Sequence, residues 1–76
     1  MTWLPLDSKL FASAAYDAES RILYLRFRDS GDVYRYFDFP PDKYRDFAGA
    51  ESRGRHFLTH IRNRYRYEPL ARLQAA

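Results

Sequence analysis

The spacing of hydrophobic and polar residues changes from strand-like to helix-like along this chain. Runs rich in branched and aromatic residues come first, at 11–17, 21–28 and 33–39, and apolar and polar residues partly alternate in the second run. Alternation of this kind is typical of half-buried strands, so we predict three strands. The turn sequence DSGD at 29–32, in which Gly31 can adopt a positive φ, predicts a hairpin between the second and third.

The register of this hairpin assigns each side chain to one face of the sheet. Loops of two or four residues both place Arg28 opposite Val33 and Arg26 opposite Arg35. Side chains alternate between faces, and the first face collects Leu23, Leu25, Phe27, Tyr34 and Tyr36. The second face collects Ile22, Tyr24, Arg26, Arg28, Val33, Arg35 and Phe37. We expect the first face to be core, which would bury the rings of its tyrosines and leave their hydroxyl groups at the rim.

A short helix is predicted after the third strand. Pro41 suits the first turn of a helix, and Asp42 would lie near its positive end. We expect this helix to run to about Gly49. Its inward-facing residues would be Tyr44, Phe47 and Ala48.

A second helix is predicted from Ser52, a good N-cap residue, to about Tyr65. Leu58, Ile61 and Tyr65 are spaced three and four residues apart, so we expect this face to pack on the sheet. The same spacing leaves both flanks basic. The arginines concerned are Arg53, Arg55, Arg62, Arg64 and Arg66.

Length and composition favour one small α+β domain. The chain has 76 residues, of which 46% are hydrophobic and 18% aromatic, which is too apolar for a disordered chain. We expect a three-stranded antiparallel β-meander followed by two α-helices packed on one face. An irregular lead-in would occupy 1–9, the core 10–67 and a loose tail 68–76. With no cysteine, no signal-peptide pattern and no long apolar run, we expect a cytoplasmic protein without a membrane partner.

Positive charge is concentrated in one part of the chain. Residues 52–67 contain five arginines and no acid, whereas the remainder has eight basic and ten acidic residues. The planar guanidinium group of arginine suits phosphate and stacks on aromatic rings. An exposed helix without a binding role usually mixes both signs of charge, so this pattern favours a phosphate-bearing partner.

Between positions 8 and 67 the sequence contains a series of residues that is specific when its members are taken together and in order. The series is Tyr16, Asp17, Leu23, Leu25, Phe27, Gly31, Tyr34, Arg35, Tyr36, Phe39, Pro40, Ala50, Ser52, Gly54, Phe57, Ile61 and Tyr65. It resembles the KTSC domain family, which is named for the C-terminus of some lysyl-tRNA synthetases and also occurs alone in bacteria. The resemblance implies this fold and no established activity, and its synthetase context suggests RNA binding.

Two surfaces are candidates for contact with RNA, either tRNA or a single strand. The arginines of the second helix would contact phosphates, the alternative being an ordinary solvated helix face. Arg26, Arg28 and Arg35 would extend that patch over the sheet, where Tyr24 or Phe37 would stack on bases unless a helix covers them. The motif residues Tyr34 and Tyr36 would stack only if they were exposed. Arg26 opposite Arg35 also requires an acidic neighbour or a bound anion, because like charges repel across a strand pair.

Catalytic and metal-binding patterns are weak in this sequence. No serine is spaced from a histidine in a way that indicates a nucleophile with its base. The sequence has neither a carboxylate pair nor a glycine-rich phosphate loop. His56 and His60 share a helix face at the spacing of a metal pair, but Arg53 and Arg64 beside them would repel a cation. We therefore expect a non-catalytic RNA-binding module with no cofactor and no metal. The alternative is a protein-interaction or homodimerisation module, because exposed Tyr, Phe and Arg also dominate protein interfaces.

Overall fold

The chain folds as one antiparallel sheet whose five strands lie side by side in chain order. The structure is a computed structural model that describes residues 1–70. Its strands are β1 Trp3–Pro5, β2 Phe11–Asp17, β3 Ile22–Phe27, β4 Val33–Tyr36 and β5 Tyr67–Pro69. Its helices are α1 Pro41–Ala48 and α2 Arg53–His56, and α2 continues into a π-helical segment, Phe57–Ile61. The predicted α+β class is confirmed, with five strands in place of three.

The two additional strands form the edges of the sheet. The predicted irregular lead-in contains β1, in which Trp3 lies opposite Ala15 of β2. The predicted loose tail begins inside β5, where Tyr67 pairs with Tyr36 of β4. Each edge strand has three residues and contains a proline, so neither shows the alternation that identifies a strand. The rest of the predicted tail, 71–76, lies outside the described residues.

The hairpin of β3 and β4 has a different register from the predicted one. Tyr24 lies opposite Arg35, and Arg26 lies opposite Val33. The prediction that Arg26 faces Arg35 was wrong because the turn closes on Phe27, whose main-chain nitrogen donates to the Asp32 carbonyl at 2.9 Å. This is a shift of two residues, and side chains alternate with a period of two. The paired residues of the two strands therefore stay on their predicted faces.

The first helix is formed as predicted, beginning at Pro41 with Asp42 in its first turn. The second helix begins as predicted, since the Ser52 hydroxyl accepts a hydrogen bond from the main-chain nitrogen of Arg55 at 3.2 Å. Its predicted extension to Tyr65 was wrong, because the backbone leaves the helical region at Arg62. No helix within residues 1–70 is long and apolar enough to cross a bilayer.

The π-helical segment changes which side chains face the sheet. Phe57 and Ile61 are buried, whereas Leu58 is 54% exposed, so the predicted apolar face containing Leu58 was wrong. The Phe57 ring packs edge-on against Phe11 and Tyr36, with ring centres 5.1 and 5.8 Å apart. Burial of such large rings between sheet and helices supplies most of the core. The fully buried large side chains are Phe11, Phe39, Phe47, Leu23, Leu25 and Ile61.

The predicted core face of the hairpin is confirmed for its central residues. Leu23 and Leu25 are fully buried, and Tyr36 is 4% exposed. Tyr34 and Phe27 are half-buried against the same core. The two motif tyrosines are therefore not equivalent: Tyr36 lies inside the core, and Tyr34 lies at its margin.

Candidate functional site

The sheet face opposite the helices, which we call the outer face, carries aromatic rings and guanidinium groups side by side. The strand registers place Trp3, Tyr24, Arg35 and Glu68 in one row from β1 to β5, with the small Ala15 between the first two. Arg26 lies in the neighbouring row on one side. Phe37 and Arg66 lie in the neighbouring row on the other. The helices within residues 1–70 pack on the opposite face, so these side chains remain partly or fully exposed.

Three guanidinium groups of the outer face stack on its rings. The guanidinium carbon of Arg26 lies 5.3 Å from the centre of the Trp3 ring. Those of Arg66 and Arg35 lie 4.3 and 5.5 Å from the centre of the Phe37 ring. Each such contact contributes about 0.5–1 kcal/mol at an exposed site. The rings thus help to hold the three arginines in place, of which Arg26 and Arg66 are exposed and Arg35 is partly buried.

Arg35 also has an acidic partner that the sequence did not reveal. Its guanidinium donates hydrogen bonds to the Glu68 carboxylate, with Nε 2.8 Å from Oε1. These hydrogen bonds raise the pKa of Arg35. Glu68 was missed because it fell in the predicted tail, whereas in the structure it lies in β5 directly opposite Arg35.

The guanidinium group of Arg28 is bonded to the backbone of the loop between β1 and β2 and of the first residue of β2. Its Nε donates to the carbonyl of Ser8 at 2.8 Å, and its Nη2 donates to those of Leu6 and Phe11 at 2.9 and 3.1 Å. One guanidinium therefore satisfies three carbonyl groups that would otherwise need water. Contact between Arg28 and phosphate stays a prediction, and it would compete with these bonds.

Arg53 has a similar local role at the end of the first helix. Its Nη2 donates to the carbonyl of Ala48, the last residue of α1, at 2.9 Å. A cationic group at this position also suits the negative end of the helix dipole. The arrangement fixes α2 against α1, and contact between Arg53 and phosphate likewise stays a prediction.

The remaining arginines of 52–67 do not share one surface. Arg62 lies at a ring-lined pocket, Arg66 lies on the outer face, and Arg55 and Arg64 flank the two histidines. The prediction that Arg62, Arg64 and Arg66 lie on the flanks of the second helix was wrong because the helix ends at Ile61, so these arginines follow in a turn and then lead into a strand. Contact with phosphate stays a prediction for each of these arginines.

A pocket of about 380 Å³, which we call the tyrosine pocket, opens at the edge of the helix-bearing face. Tyr67 contributes its ring to the lining, with its ring centre 5.9 Å from that of Tyr34 and 5.6 Å from that of Tyr36. Burial raises the pKa of Tyr36, so its hydroxyl group stays protonated. The pocket is lined by Leu10, Phe27, Tyr34, Tyr36, Phe57, Leu58, Arg62, Asn63 and Tyr67. Sequence reasoning missed Asn63 and Tyr67, which reach the pocket only because the helix ends early and β5 forms.

The histidine pair lies on the other side of the helical layer. The ring centres of His56 and His60 are 4.6 Å apart. Burial, and secondarily the nearby His60, lower the pKa of His56. Within the part of the chain that the structure describes, no three His, Cys, Asp or Glu side chains come together as metal ligands.

The sequence and the fold agree with a known family of small domains. The chain matches the KTSC domain over residues 7–65, and it belongs to that family. Its fold is similar to the crystal structure of a KTSC domain protein from Yersinia pestis, with a TM-score of 0.87 and 28% sequence identity over 92% of this chain and 97% of that one.

Similar sequences occur both as short proteins and inside a longer one. A protein of Tsukamurella paurometabola is 37% identical over 62 residues, which cover 82% of this chain and 91% of that protein. An uncharacterised protein of Stutzerimonas stutzeri is 40% identical over 57 residues, covering 75% and 79%. A lysine–tRNA ligase of Nostoc punctiforme is 37% identical over 65 residues, which cover 86% of this chain and 11% of the ligase. The chain thus spans about a tenth of that relative's length.

Proposed function

We propose that this chain is a non-catalytic module that binds single-stranded RNA on its outer face. The observation that carries the proposal is the set of guanidinium groups stacked on the rings of an open sheet face, with Arg26 on Trp3 and Arg66 on Phe37. Single strands are commonly bound by rings on which bases stack, combined with cations that follow the phosphate backbone.

The exposed arginines of the outer face suit a phosphate backbone. Arg26 and Arg66 are exposed there. Arg62 lies at the tyrosine pocket and Arg55 and Arg64 lie at the histidine pair, and the side chains of these three form no hydrogen bond or ion pair with another of residues 1–70. RNA is preferred over DNA because a relative named as a lysine–tRNA ligase contains a similar segment. In this proposal the chain acts as one domain in the cytoplasm.

Binding can be tested by fluorescence anisotropy with labelled single-stranded RNA, tRNA and duplex DNA at two salt concentrations. We expect single-stranded RNA to bind best, with a log–log salt slope of about −0.7 for each phosphate neutralised. Changing Arg26 and Arg66 together to Ala should weaken binding and flatten that slope. Arg45→Ala is the matched control, since Arg45 is an exposed arginine on α1, away from the outer face. An absence of binding at low salt, or binding that ignores salt, would refute the proposal.

A protein-interaction role has its own supporting observation. Leu58 and Tyr67 at the tyrosine pocket are 54% and 51% exposed, and large exposed apolar side chains often lie at interfaces between proteins. Mass measured by light scattering over a range of protein concentrations tests the homodimer form of this alternative. A mass that doubles with concentration, and does so less readily in Leu58→Ser, would support it. A monomeric mass at every concentration would exclude a homodimer.

A further inference from the structure

We propose that the tyrosine pocket binds one nucleobase of an RNA strand, an inference that rests on the proposed function. The pocket has a volume of about 380 Å³, which lies within the range of about 300–1,000 Å³ usual for small-molecule pockets. Tyr36 and Phe57 are 4% and 5% exposed and form its floor. Tyr67, half exposed, offers ring surface above that floor.

The polar rim of the pocket is built by the way the helix ends. The π-helical segment closes with the main-chain nitrogen of Arg62 donating to the Phe57 carbonyl at 2.8 Å. The backbone then extends at Arg62 and adopts a φ of +63° at Asn63. Departures of this kind from regular helix are uncommon and cluster at functional sites. Here they place a guanidinium group and an amide group at the mouth of a pocket lined with rings.

These groups match the parts of a nucleotide. A planar base can stack on the Tyr67 ring, and the amide of Asn63 has both a donor and an acceptor for the edge of the base. Arg62 is exposed and would contact the adjoining phosphate. None of the residues that line the pocket is acidic, so nothing there repels an anion. An aliphatic side chain from a protein partner would use neither the amide nor the guanidinium group.

The pocket is continuous with the outer face through β5, an edge strand of the sheet. Tyr67 contributes its ring to the pocket, and the preceding residue, Arg66, stacks on Phe37 of the outer face. Only the width of this short strand separates the two surfaces. A strand of RNA that crosses the β5 edge would thus place one base in the pocket while its neighbours lie on the outer face.

The pocket is tested by two titrations of the full chain. In the first, the four ribonucleoside 5′-monophosphates are added while NMR follows the ring resonances of Tyr34, Tyr36 and Tyr67. In the second, anisotropy compares a labelled seven-nucleotide RNA with the same RNA lacking one base at successive positions. We expect ring shifts with at least one mononucleotide. We also expect one position at which loss of the base weakens binding about 5- to 100-fold.

Two variants link these effects to the pocket. Tyr67→Leu removes the stacking ring from a half-exposed position and should cause the same 5- to 100-fold loss for intact RNA, whereas Tyr67→Phe should bind like the parent. Asn63→Gly keeps the backbone conformation, removes the amide and should reduce discrimination among the four mononucleotides. A circular dichroism melt of each variant checks that it is folded.

The outcomes separate this inference from the proposed function. RNA binding that is unaffected by Tyr67→Leu, together with no ring shifts, would overturn the proposed base site in the pocket. The proposal that RNA binds the outer face would be unaffected. Ring shifts with mononucleotides but no binding of the seven-nucleotide RNA would support the pocket and refute the outer face. Neither binding nor shifts would refute both.

Discussion

The guanidinium carbon of Arg66 lies 4.3 Å from the centre of the Phe37 ring, and the main chains of the two residues are joined by a 2.9 Å hydrogen bond. This pair fastens the segment leading into β5 to the end of β4. It also brings an arginine from beyond the helices onto a sheet face formed by residues far earlier in the chain. Arg35 approaches the same ring from the neighbouring row. Phe37 is therefore the residue through which two arginines of the outer face are positioned.

Changing Phe37 to Leu should destabilise the domain by about 1 kcal/mol, because two guanidinium groups lose the ring on which they stack. Phe37→Tyr keeps the ring and should change the free energy of unfolding by less than half as much. Urea denaturation followed by tryptophan fluorescence measures both variants, since Trp3 lies in the same sheet. Equal stabilities for the Leu and Tyr variants would show that the stacking contributes nothing to the fold.

Arg28 and Arg64 should differ sharply in their importance for stability. Arg28→Gln should cost about 1–3 kcal/mol, because three backbone carbonyl groups lose a charged donor. Arg64→Gln, at an exposed position, should stay within about 0.5 kcal/mol of the parent. Arg28→Lys keeps the charge but lacks the planar fork, so it should remain close to Arg28→Gln. Thermal and urea denaturation measure the stability of the three variants. If Arg28→Lys were as stable as the parent, a positive charge alone would be sufficient to satisfy the three carbonyl groups.

The alternation of side chains let the sequence predict the faces of the central sheet. The prediction that Leu23 and Leu25 are core residues is correct although the predicted register was wrong by two residues. A shift of two residues leaves the paired side chains on the same face. The strand Phe11–Asp17 and the first helix were predicted for similarly local reasons, a β-rich run in one case and Pro41 in the other. These features depend on neighbours along the chain.

The edges of the sheet and the end of the second helix could not be predicted in this way. Strands β1 and β5 form because the exposed edges of β2 and β4 offer hydrogen-bonding partners. A sequence of three residues that contains a proline has no pattern from which such a strand could be predicted. The helix changes to π geometry where Phe57 must reach the core between Phe11 and Tyr36. Tertiary packing of this kind overrides helical spacing. The contributions of Tyr67 and Glu68 to the candidate surfaces follow from it and were missed for that reason.

Two glycines of the family motif should respond in opposite ways to replacement by alanine. Gly31 has a φ of +75°, so Gly31→Ala should destabilise by about 1–2 kcal/mol. Gly54 lies within α2, and a Cβ there would meet Leu10 at 3.5 Å, an ordinary contact. Gly54→Ala should therefore stabilise by about 0.4–1 kcal/mol, through the reduced entropy of the unfolded chain. Urea midpoints of the two variants test this, and destabilisation by Gly54→Ala would show that the contact with Leu10 is too tight.

Acidification should reduce stability through His56. Its pKa in the folded protein lies below the ordinary value of 6.5, so the unfolded chain takes up the proton more readily as the pH falls through that value. The free energy of unfolding should thus decline below about pH 6.5, and this component should be absent in His56→Gln. NMR titration provides a second measure: His60→Asn should raise the pKa of His56 only in part, because burial is the larger cause of the shift. Full restoration of the pKa by His60→Asn would contradict that order of causes.

Removing the charge of Glu68 should strengthen binding of RNA to the outer face. Glu68 neutralises Arg35 and would also repel an approaching phosphate. Two unit charges roughly 6 Å apart in water interact by about 0.7 kcal/mol, so Glu68→Gln should raise affinity about threefold at low salt. The free energy of unfolding should change by less than about 1 kcal/mol, as for other exposed ion pairs. Glu51→Gln is the control, since this exposed acid lies just before α2, away from the outer face. If Glu68→Gln weakened binding while Glu51→Gln did not, the carboxylate would be needed to orient Arg35, and Arg35 would then contact RNA only as part of that pair.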